Sequence, residues 1–232
     1  FAEQLGAGPE RIGLIVSVST LTGVLLKLPS GALSDIYGRR FLLRIGVVAF
    51  GLPPFLYLFI TDLNSLTALR FVHGLATAIF APSALATVAE LYRERRGAAL
   101  GTYTACTQSG ALLGPFIGGY LAHVAGFDFA FVTAGICGCI AIVLFYSLHL
   151  DVATPRVPEK GMRPLLAEMW KGFAIVAQNR KVLITSATDG AKMIANGALM
   201  AFLPLYGLTV GLNPGEVGLL FSVQAGTSFF SK

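Results

Sequence analysis

The chain has 232 residues, of which 55% are hydrophobic and only 12% are charged, and its mean hydropathy is +0.73. Soluble domains carry about 25% charged residues, so this composition excludes an ordinary water-soluble domain and favours a membrane protein. The net charge of +5 comes from short basic clusters between apolar runs, so it indicates membrane topology and not a nucleic-acid-binding surface.

Apolar stretches long enough to cross a bilayer as helices recur along the chain. The sequence predicts six complete spans, at residues 12–33, 41–60, 66–91, 98–124, 127–150 and 182–208, and a seventh that begins near Val217. The runs are continuous and do not alternate with polar residues, so they predict helices and not the strands of a barrel. The expected fold is an all-α, polytopic transmembrane helical bundle.

Basic residues fall in alternate connections between these spans, whereas "TDLN", "HVAGFD" and "GLTVGLNPGE" contain none. By the positive-inside rule the basic connections are cytoplasmic. We expect an N-terminal transmembrane half at 1–150, a cytoplasmic linker with an amphipathic helix at 151–181, and the start of a C-terminal transmembrane half at 182–232. The chain begins at Phe1 and stops inside an apolar run at Lys232, so we expect it to be incomplete at both ends.

The stretch "GALSDIYGRRFLLRIG", residues 31–46, places a carboxylate and three arginines between two apolar spans. Asp35 lies where a helix is expected to end, and a carboxylate is unfavourable there because of the helix dipole. Arg39 is the nearest cation that can hold it, and Gly38 suits a tight turn because glycine adopts positive φ. A plain solvated turn explains the arginines but not the carboxylate and the glycines.

This stretch resembles the loop between the second and third helices of the major facilitator superfamily. The family pattern Gly-x-x-x-Asp-(Arg/Lys)-x-Gly-(Arg/Lys)-(Arg/Lys) is matched by Gly31, Asp35, Gly38, Arg39 and Arg40, with Ile36 in place of a basic residue. The resemblance implies a cytoplasmic gate between two halves of a transporter. Glu90, at the end of the third span, is expected to join Asp35 and Arg39 in it. The alternative for Glu90 is an interfacial acid among arginines.

Arg70 and His73 lie in "LTALRFVHGLATA", near the outer end of the third span. An arginine within a membrane span faces a cavity or a partner, although this shallow position also allows it to extend to the surface. The stretch resembles the fourth-helix pattern Arg-x-x-(Gln)-Gly of the superfamily, which implies a role for Arg70 in proton coupling. His73 stands where Gln is common, and it is either part of a proton relay or a packing residue.

The fourth span, "GTYTACTQSGALLGPFIGGY", is rich in glycine. Gly110, Gly114 and Gly118 recur every four residues, which predicts a groove for a close-packed neighbour, and Pro115 is expected to bend the helix. The span resembles the antiporter signature of the superfamily, especially that of drug:proton antiporters. Every position of that signature is filled, by Gly101, Gly110, Gly114, Pro115, Gly118 and Gly119.

Asp189 and Lys192 lie three residues apart in the sixth span. At this spacing they share a helix face and can neutralise each other, which is one explanation for both. The resemblance implies that this span is the family's seventh helix, which lines the central cavity. Asp189 and Lys192 are therefore candidates for contact with substrate or protons.

The resemblance covers the chain from the family's second helix into its eighth and implies a multi-pass transporter of the cell membrane, inner or plasma. The expected activity is proton-coupled export of a small amphiphilic compound, with the lipid bilayer, the substrate and protons as partners and a monomer as the functional unit. The alternatives are a metabolite symporter or exporter of the same superfamily and, more remotely, a helical membrane receptor. The sequence shows no constellation of catalytic residues, no cofactor motif and no metal-ligand spacing, so we expect neither an enzyme nor a cofactor.

Overall fold

The structure, a computed structural model, describes residues 1–148, 174 and 177–230, apart from the side chains at positions 28, 32, 35, 36, 189 and 228–230. Every regular element in this part of the chain is helical. The predicted all-α transmembrane bundle is confirmed, whereas the predicted linker helix at 151–181 falls almost entirely outside the described residues. The helices are α1 (Pro9–Tyr37), α2 (Arg39–Gly51), α3 (Pro53–Leu56), α4 (Leu63–Leu91), α5 (Arg96–Ser147), α6 (Arg180–Thr209) and α7 (Pro214–Phe230).

Five helical segments of the described chain are long and apolar enough to cross a membrane. One of them contains two crossings, because α5 has 52 residues and would be about 78 Å long if it were straight. Gly126 breaks it with φ 87° and ψ 167°, a conformation that glycine adopts without strain. The break divides α5 into residues 96–125 and 127–147, in agreement with the predicted end of one span at Val124 and start of the next at Phe127.

The predicted second span, 41–60, is not one continuous helix. α2 ends at Gly51, α3 occupies only Pro53–Leu56, and a 3₁₀ turn follows at Tyr57–Phe59. Pro53 and Pro54 have no backbone N–H to donate to the preceding turn, so the helix is interrupted where they enter it. Hydropathy does not detect this interruption because all of these residues are apolar.

Glycines allow the helices to approach closely at several crossings. A Cβ at Gly74 of α4 would collide with the Ser19 carbonyl oxygen of α1. A Cβ at Gly46 of α2 would lie 2.9 Å from the Phe80 Cβ of α4. These crossings leave no space for a larger side chain, so they fix how α1 and α2 pack on α4.

The first part of α5 packs against α7 through a third glycine contact. A Cβ at Gly119 would lie 2.5 Å from the Pro214 carbonyl oxygen, and one at Gly218 would collide with the Pro115 carbonyl oxygen. The Ser222 hydroxyl donates a hydrogen bond to the Leu112 carbonyl oxygen at 2.6 Å. This contact joins the expected N-terminal half to the expected C-terminal half.

The arginine-rich turns lie at the same end of the bundle, which we call the basic end. It contains the turn at Gly38, between α1 and α2, and the turn Arg93–Arg95, between α4 and α5. Side-chain contacts between Arg39 and Glu90 bring these two turns together. The break at Gly126 and the connection 210–213 lie at the opposite end, because α5 and α6 each run the length of the bundle to reach them.

Candidate functional site

Gly38 makes the turn that places Arg39 against α4. Its φ of 88° lies in the region that favours glycine, and it separates the last residue of α1 from the first residue of α2. The expected positive-φ turn is therefore present. Because the turn has a single residue, Arg39 starts α2 directly beside the end of α1.

Arg39 and Glu90 form an ion pair between the start of α2 and the end of α4. The Arg39 guanidinium also donates a hydrogen bond to the Ala86 carbonyl oxygen at 3.2 Å. Arg93, one turn beyond Glu90, places its Nη2 3.6 Å from the second carboxylate oxygen. The side chains of Arg39 and Glu90 are 27% and 18% exposed, so water screens this pair less than it screens a surface pair.

The structure brings together only part of the predicted gate. Arg39 and Glu90 are in contact, Arg40 lies half-buried on the next position of α2, and Gly31 has open space beside it on α1. Asp35 lies near the end of α1, but its side chain is outside the described residues. The Arg39–Glu90 pair joins two helices of the expected N-terminal half, so by itself it is not a contact between halves.

Arg70 and His73 lie on α4 and face the helices that precede it. Arg70 is seven residues from the first residue of α4, about 10 Å along the helix, and its Cζ lies 5.7 Å from the centre of the Tyr57 ring. The His73 ring packs edge-on against Phe50 with 5.6 Å between ring centres. Arg70 Nε and His73 Nδ1 are buried and have no hydrogen-bond partner within the described part of the chain. Buried polar atoms without partners are rare, so the Arg70 Nε–H is available to donate to a water molecule or a ligand, and His73 Nδ1 is available to a proton, a water molecule or a ligand.

The glycine-rich helix makes its close contact within the described chain at Gly119. Within the described chain, a Cβ at Gly101, Gly110, Gly114 or Gly118 would meet nothing within 4 Å. Gly119 makes the close contact instead, against α7. Gly119 lies one position beyond the four-residue stripe and so faces another direction on the helix. The groove of Gly110, Gly114 and Gly118 stays a prediction, because no described residue covers it. φ and ψ stay helical through Pro115, and only Gly126 departs from helical values inside α5.

A cavity of about 440 Å³ lies between the first part of α5, α6 and α7. Its polar lining residues are Gln108, Lys192, Asn196 and Gln224, and the Gln224 side-chain amide donates a hydrogen bond to Asn196 Oδ1 at 3.1 Å. The apolar wall includes Met193, Leu199, Met200 and Phe221. Lys192 lines this cavity, while the Asp189 side chain lies outside the described residues. No residue of α4 lines this cavity, so the structure does not bring Arg70 and His73 to it.

Comparison with known proteins identifies the family. The sequence profile described as Major Facilitator Superfamily matches residues 1–231. The chain belongs to the major facilitator superfamily. Membership in this superfamily, together with the membrane-length helices, confirms the predicted multi-pass integral membrane protein and the predicted class of transporter.

Curated relatives of this superfamily chain include proteins named for drug efflux. An uncharacterized MFS-type transporter of Methanocaldococcus jannaschii is 26% identical over 224 residues, which are 96% of this chain and 58% of the relative. The multi-drug resistance efflux pump PmrA of Streptococcus pneumoniae is 30% identical over 167 residues, 70% of this chain and 42% of the pump. The quinolone resistance protein NorA of Staphylococcus aureus is 25% identical over 224 residues, 94% of this chain and 55% of NorA. The chain therefore spans about half the length of the curated relatives it matches.

Three polar residues that make contacts in the structure are not predicted by any sequence motif. Asn196 and Gln224 form the amide pair in the cavity, and Ser222 joins α7 to α5. They belong to no motif, but each is an uncharged polar side chain within an apolar span. Polar residues inside a membrane are costly and tend to face the bundle interior, so their depth alone is a signal that finds them.

Proposed function

We propose that this chain is part of a transporter that exports a small amphiphilic compound in exchange for protons, by alternating access. The observation that carries the proposal is the cavity between α5, α6 and α7. It combines an apolar wall with an ammonium group and three side-chain amides, and small-molecule sites are commonly built in this way. A compound with an apolar body and one hydrogen-bonding group matches that lining.

The position of the cavity supports a transport role. Gln108 lies twelve residues from the start of α5 and Lys192 twelve residues from the start of α6, about 18 Å along each helix. The hydrocarbon core of a bilayer is about 30 Å thick, so the cavity is close to its middle. Secondary transporters hold their substrates at this depth and rock their two halves around it.

The names of the relatives support export as the direction of transport. PmrA is named an efflux pump, and NorA and the methylenomycin A resistance protein of Bacillus subtilis are named for resistance. The glycines and proline of α5 match every position of the antiporter signature of the superfamily, and this resemblance supports antiport. We therefore propose that protons enter as the compound leaves, and that the monomer is the functional unit.

Arg70 and His73 are proposed to couple proton movement to transport. Both have a buried nitrogen that finds no hydrogen-bond partner among the described residues, and they lie one turn apart on the same helix within the span. The proposed cytoplasmic gate consists of Gly31, Asp35, Gly38, Arg39, Arg40 and Glu90, in which the Arg39–Glu90 pair holds α2 in place. The gate itself requires a contact with the other half of the transporter.

The test is the collapse of a pH gradient in inverted membrane vesicles that contain the full-length protein, with a panel of lipophilic cations and neutral amphiphiles. We expect particular compounds to release protons in wild-type vesicles and Arg70→Gln to abolish that release at equal protein abundance. Arg11→Gln is the matched control, since Arg11 is an exposed arginine near the same end of the bundle. Release that survives in Arg70→Gln would contradict the coupling role, and a folded protein that responds to no compound would contradict drug export.

Export of an organic anion is the second candidate, and Lys192 favours it. An ammonium group attracts a carboxylate or a phosphate and repels a cation, and the amide pair beside it can donate further hydrogen bonds to the anion. Organic acids therefore belong in the same panel. If they alone move protons, and Lys192→Gln removes the response, the substrate is an anionic metabolite and not a lipophilic cation.

A further inference from the structure

A groove runs along the outside of α2 and α3, on a surface that no assignment above uses. It has a volume of about 630 Å³ and is lined by α2, α3, Val72 of α4 and Tyr146 of α5. The α2 side chains that line it recur every three or four residues from Phe41 to Leu52, so they form one continuous apolar face of the helix. Phe41, Ile45 and Leu52 on this face are exposed, at 53%, 41% and 46%, and the other lining residues of α2 are half-buried.

The polar side chains of the groove are both at its basic end. Arg44 Cζ lies 5.3 Å from the centre of the Tyr146 ring, a distance that allows a cation–π contact to hold the guanidinium at the groove entrance. No carboxylate lines the groove, and Arg44 has no ion pair among the residues described. Arg40 does not line the groove, but it precedes Arg44 by four residues, so a second arginine starts one helical turn nearer the basic end.

The length of the groove matches one leaflet of a membrane. Arg44 and Leu56 are twelve residues apart, about 18 Å along α2 and α3. One leaflet contributes roughly 15 Å of hydrocarbon, half of a core about 30 Å thick. An arginine at this position extends its guanidinium toward the headgroups while its stem stays in the apolar region.

We propose that the groove binds an anionic phospholipid, with the lipid phosphate on Arg44 and one acyl chain along α2 and α3. A guanidinium offers two parallel N–H donors to a phosphate, which makes it a better partner than a point charge. Arg44 has no carboxylate beside it in the groove, so it favours a lipid with net negative charge over a zwitterionic one. The inference depends on membrane insertion and not on which compound is transported.

The test is native mass spectrometry of the full-length protein, released from mixed micelles that contain equal amounts of phosphatidylglycerol and phosphatidylcholine. We expect the wild type to retain phosphatidylglycerol in preference. Arg44→Gln should reduce that retention about five-fold, the contribution of one basic residue near an anionic membrane surface. Arg95→Gln is the matched control, because Arg95 is exposed at the same end of the bundle but outside the groove.

A second variant tests the apolar part of the groove without a change of charge. Ala49→Phe places a ring in the groove and should lower retention of the lipid to about the level of Arg44→Gln, while the variant remains folded in the same spectra. Equal retention in Arg44→Gln and Arg95→Gln would overturn the proposal, as would equal binding of the two lipids by the wild type. A stable dimer that Ala49→Phe dissociates would also overturn it, because the groove would then hold a second copy of the chain.

Discussion

Glu90 holds two arginines from different segments of the chain. Its carboxylate pairs with Arg39 across the bundle and with Arg93 on its own helix, and only 18% of its side chain is exposed. Glu90→Gln should leave both guanidinium groups facing a neutral amide and lower stability by about 1–2 kcal/mol, the usual cost of losing a hydrogen bond to a charged group. Thermal unfolding of the full-length protein in detergent measures this loss.

Two further variants separate the ion pair from a general effect of charge. Arg95→Gln also removes one charge from the basic end, and we expect it to change the unfolding temperature little because Arg95 is exposed. The exchange of both partners, Arg39→Glu with Glu90→Arg, should recover part of the stability that Arg39→Glu alone loses. If the double variant is no more stable than the single one, Arg39 and Glu90 do not act as a pair.

Asp62 makes the start of α4 sensitive to pH. Its carboxylate accepts hydrogen bonds from the Ser65 hydroxyl and from the backbone N–H groups of Ser65 and Asn64. The hydrogen bonds from Ser65 contribute most, and together they hold the pKa of Asp62 below its ordinary value of 3.8. Since the folded pKa is the lower one, the stabilisation is complete above pH 3.8 and is lost as the pH falls through the folded pKa.

The contribution of the Asp62 charge is measured by comparing the unfolding temperatures of wild type and Asp62→Asn at several pH values. Asp62→Asn keeps an acceptor at the N-cap but cannot be protonated in this range. We therefore expect wild type and Asp62→Asn to differ less in unfolding temperature at about pH 3 than at about pH 6. A difference that stays constant over this range would show that the charge of Asp62 does not contribute to capping.

Close contact between α1 and α4 depends on Gly74. A Cβ at this position would collide with the Ser19 carbonyl oxygen and lie 2.9 Å from the Thr22 Cβ. Backbone atoms cannot rotate away, so Gly74→Ala should force the two helices apart and cost about 1–3 kcal/mol. Gly97→Ala is the control, because a Cβ there meets nothing within 4 Å. The measurement is the unfolding temperature in detergent. An equal decrease in Gly74→Ala and Gly97→Ala would contradict this account.

Much of the helical architecture follows from the sequence, since hydropathy alone gives the number of spans and nearly their positions. The division of α5 at Gly126 is predictable because polar residues interrupt the apolar run there. Hydropathy does not predict the interruption between α2 and α3, because it lies inside an apolar run. The stripe of Gly110, Gly114 and Gly118 stays a prediction, because no described residue covers it and periodicity shows which residues share a face but not which helix packs there.

The candidate sites also contain some features that the sequence predicts and others that it does not. The turn at Gly38 is predictable because a glycine between two helices suits positive φ. The approach of Glu90 to Arg39 is predictable only through the family resemblance, since an acid among arginines at the membrane surface explains the sequence equally well. The amide pair of Asn196 and Gln224 is not, since the two residues are 28 positions apart and come together only through the packing of α6 on α7. The packing of Arg70 against Tyr57 likewise depends on the 3₁₀ turn that follows α3.

The contacts between the two expected halves lie toward the opposite end from the basic turns. Gly119 is 23 residues from the start of α5, about 35 Å along the helix, and it meets the beginning of α7. A Cβ at Gly13, near the start of α1, would lie 3.8 Å from Phe202 of α6 at the same end. The central cavity thus lies between this contact and the basic end. If the halves rock about the cavity, α5 and α7 must separate at this contact during each cycle.

A cross-link between α5 and α7 should therefore stop transport. After replacement of the free cysteines Cys106, Cys137 and Cys139, Leu112→Cys with Ser222→Cys places two thiols on the helices whose contact must open. The matched pair is Ser34→Cys with Ser83→Cys, whose hydroxyls lie 3.2 Å apart in the wild type and join α1 to α4 inside one half. Under oxidation we expect both pairs to cross-link. The first should abolish the proposed transport until a reductant is added, and the second should leave it unchanged. If the first pair cross-links fully and transport continues, the halves do not separate here, and access to the cavity alternates by movement of other helices.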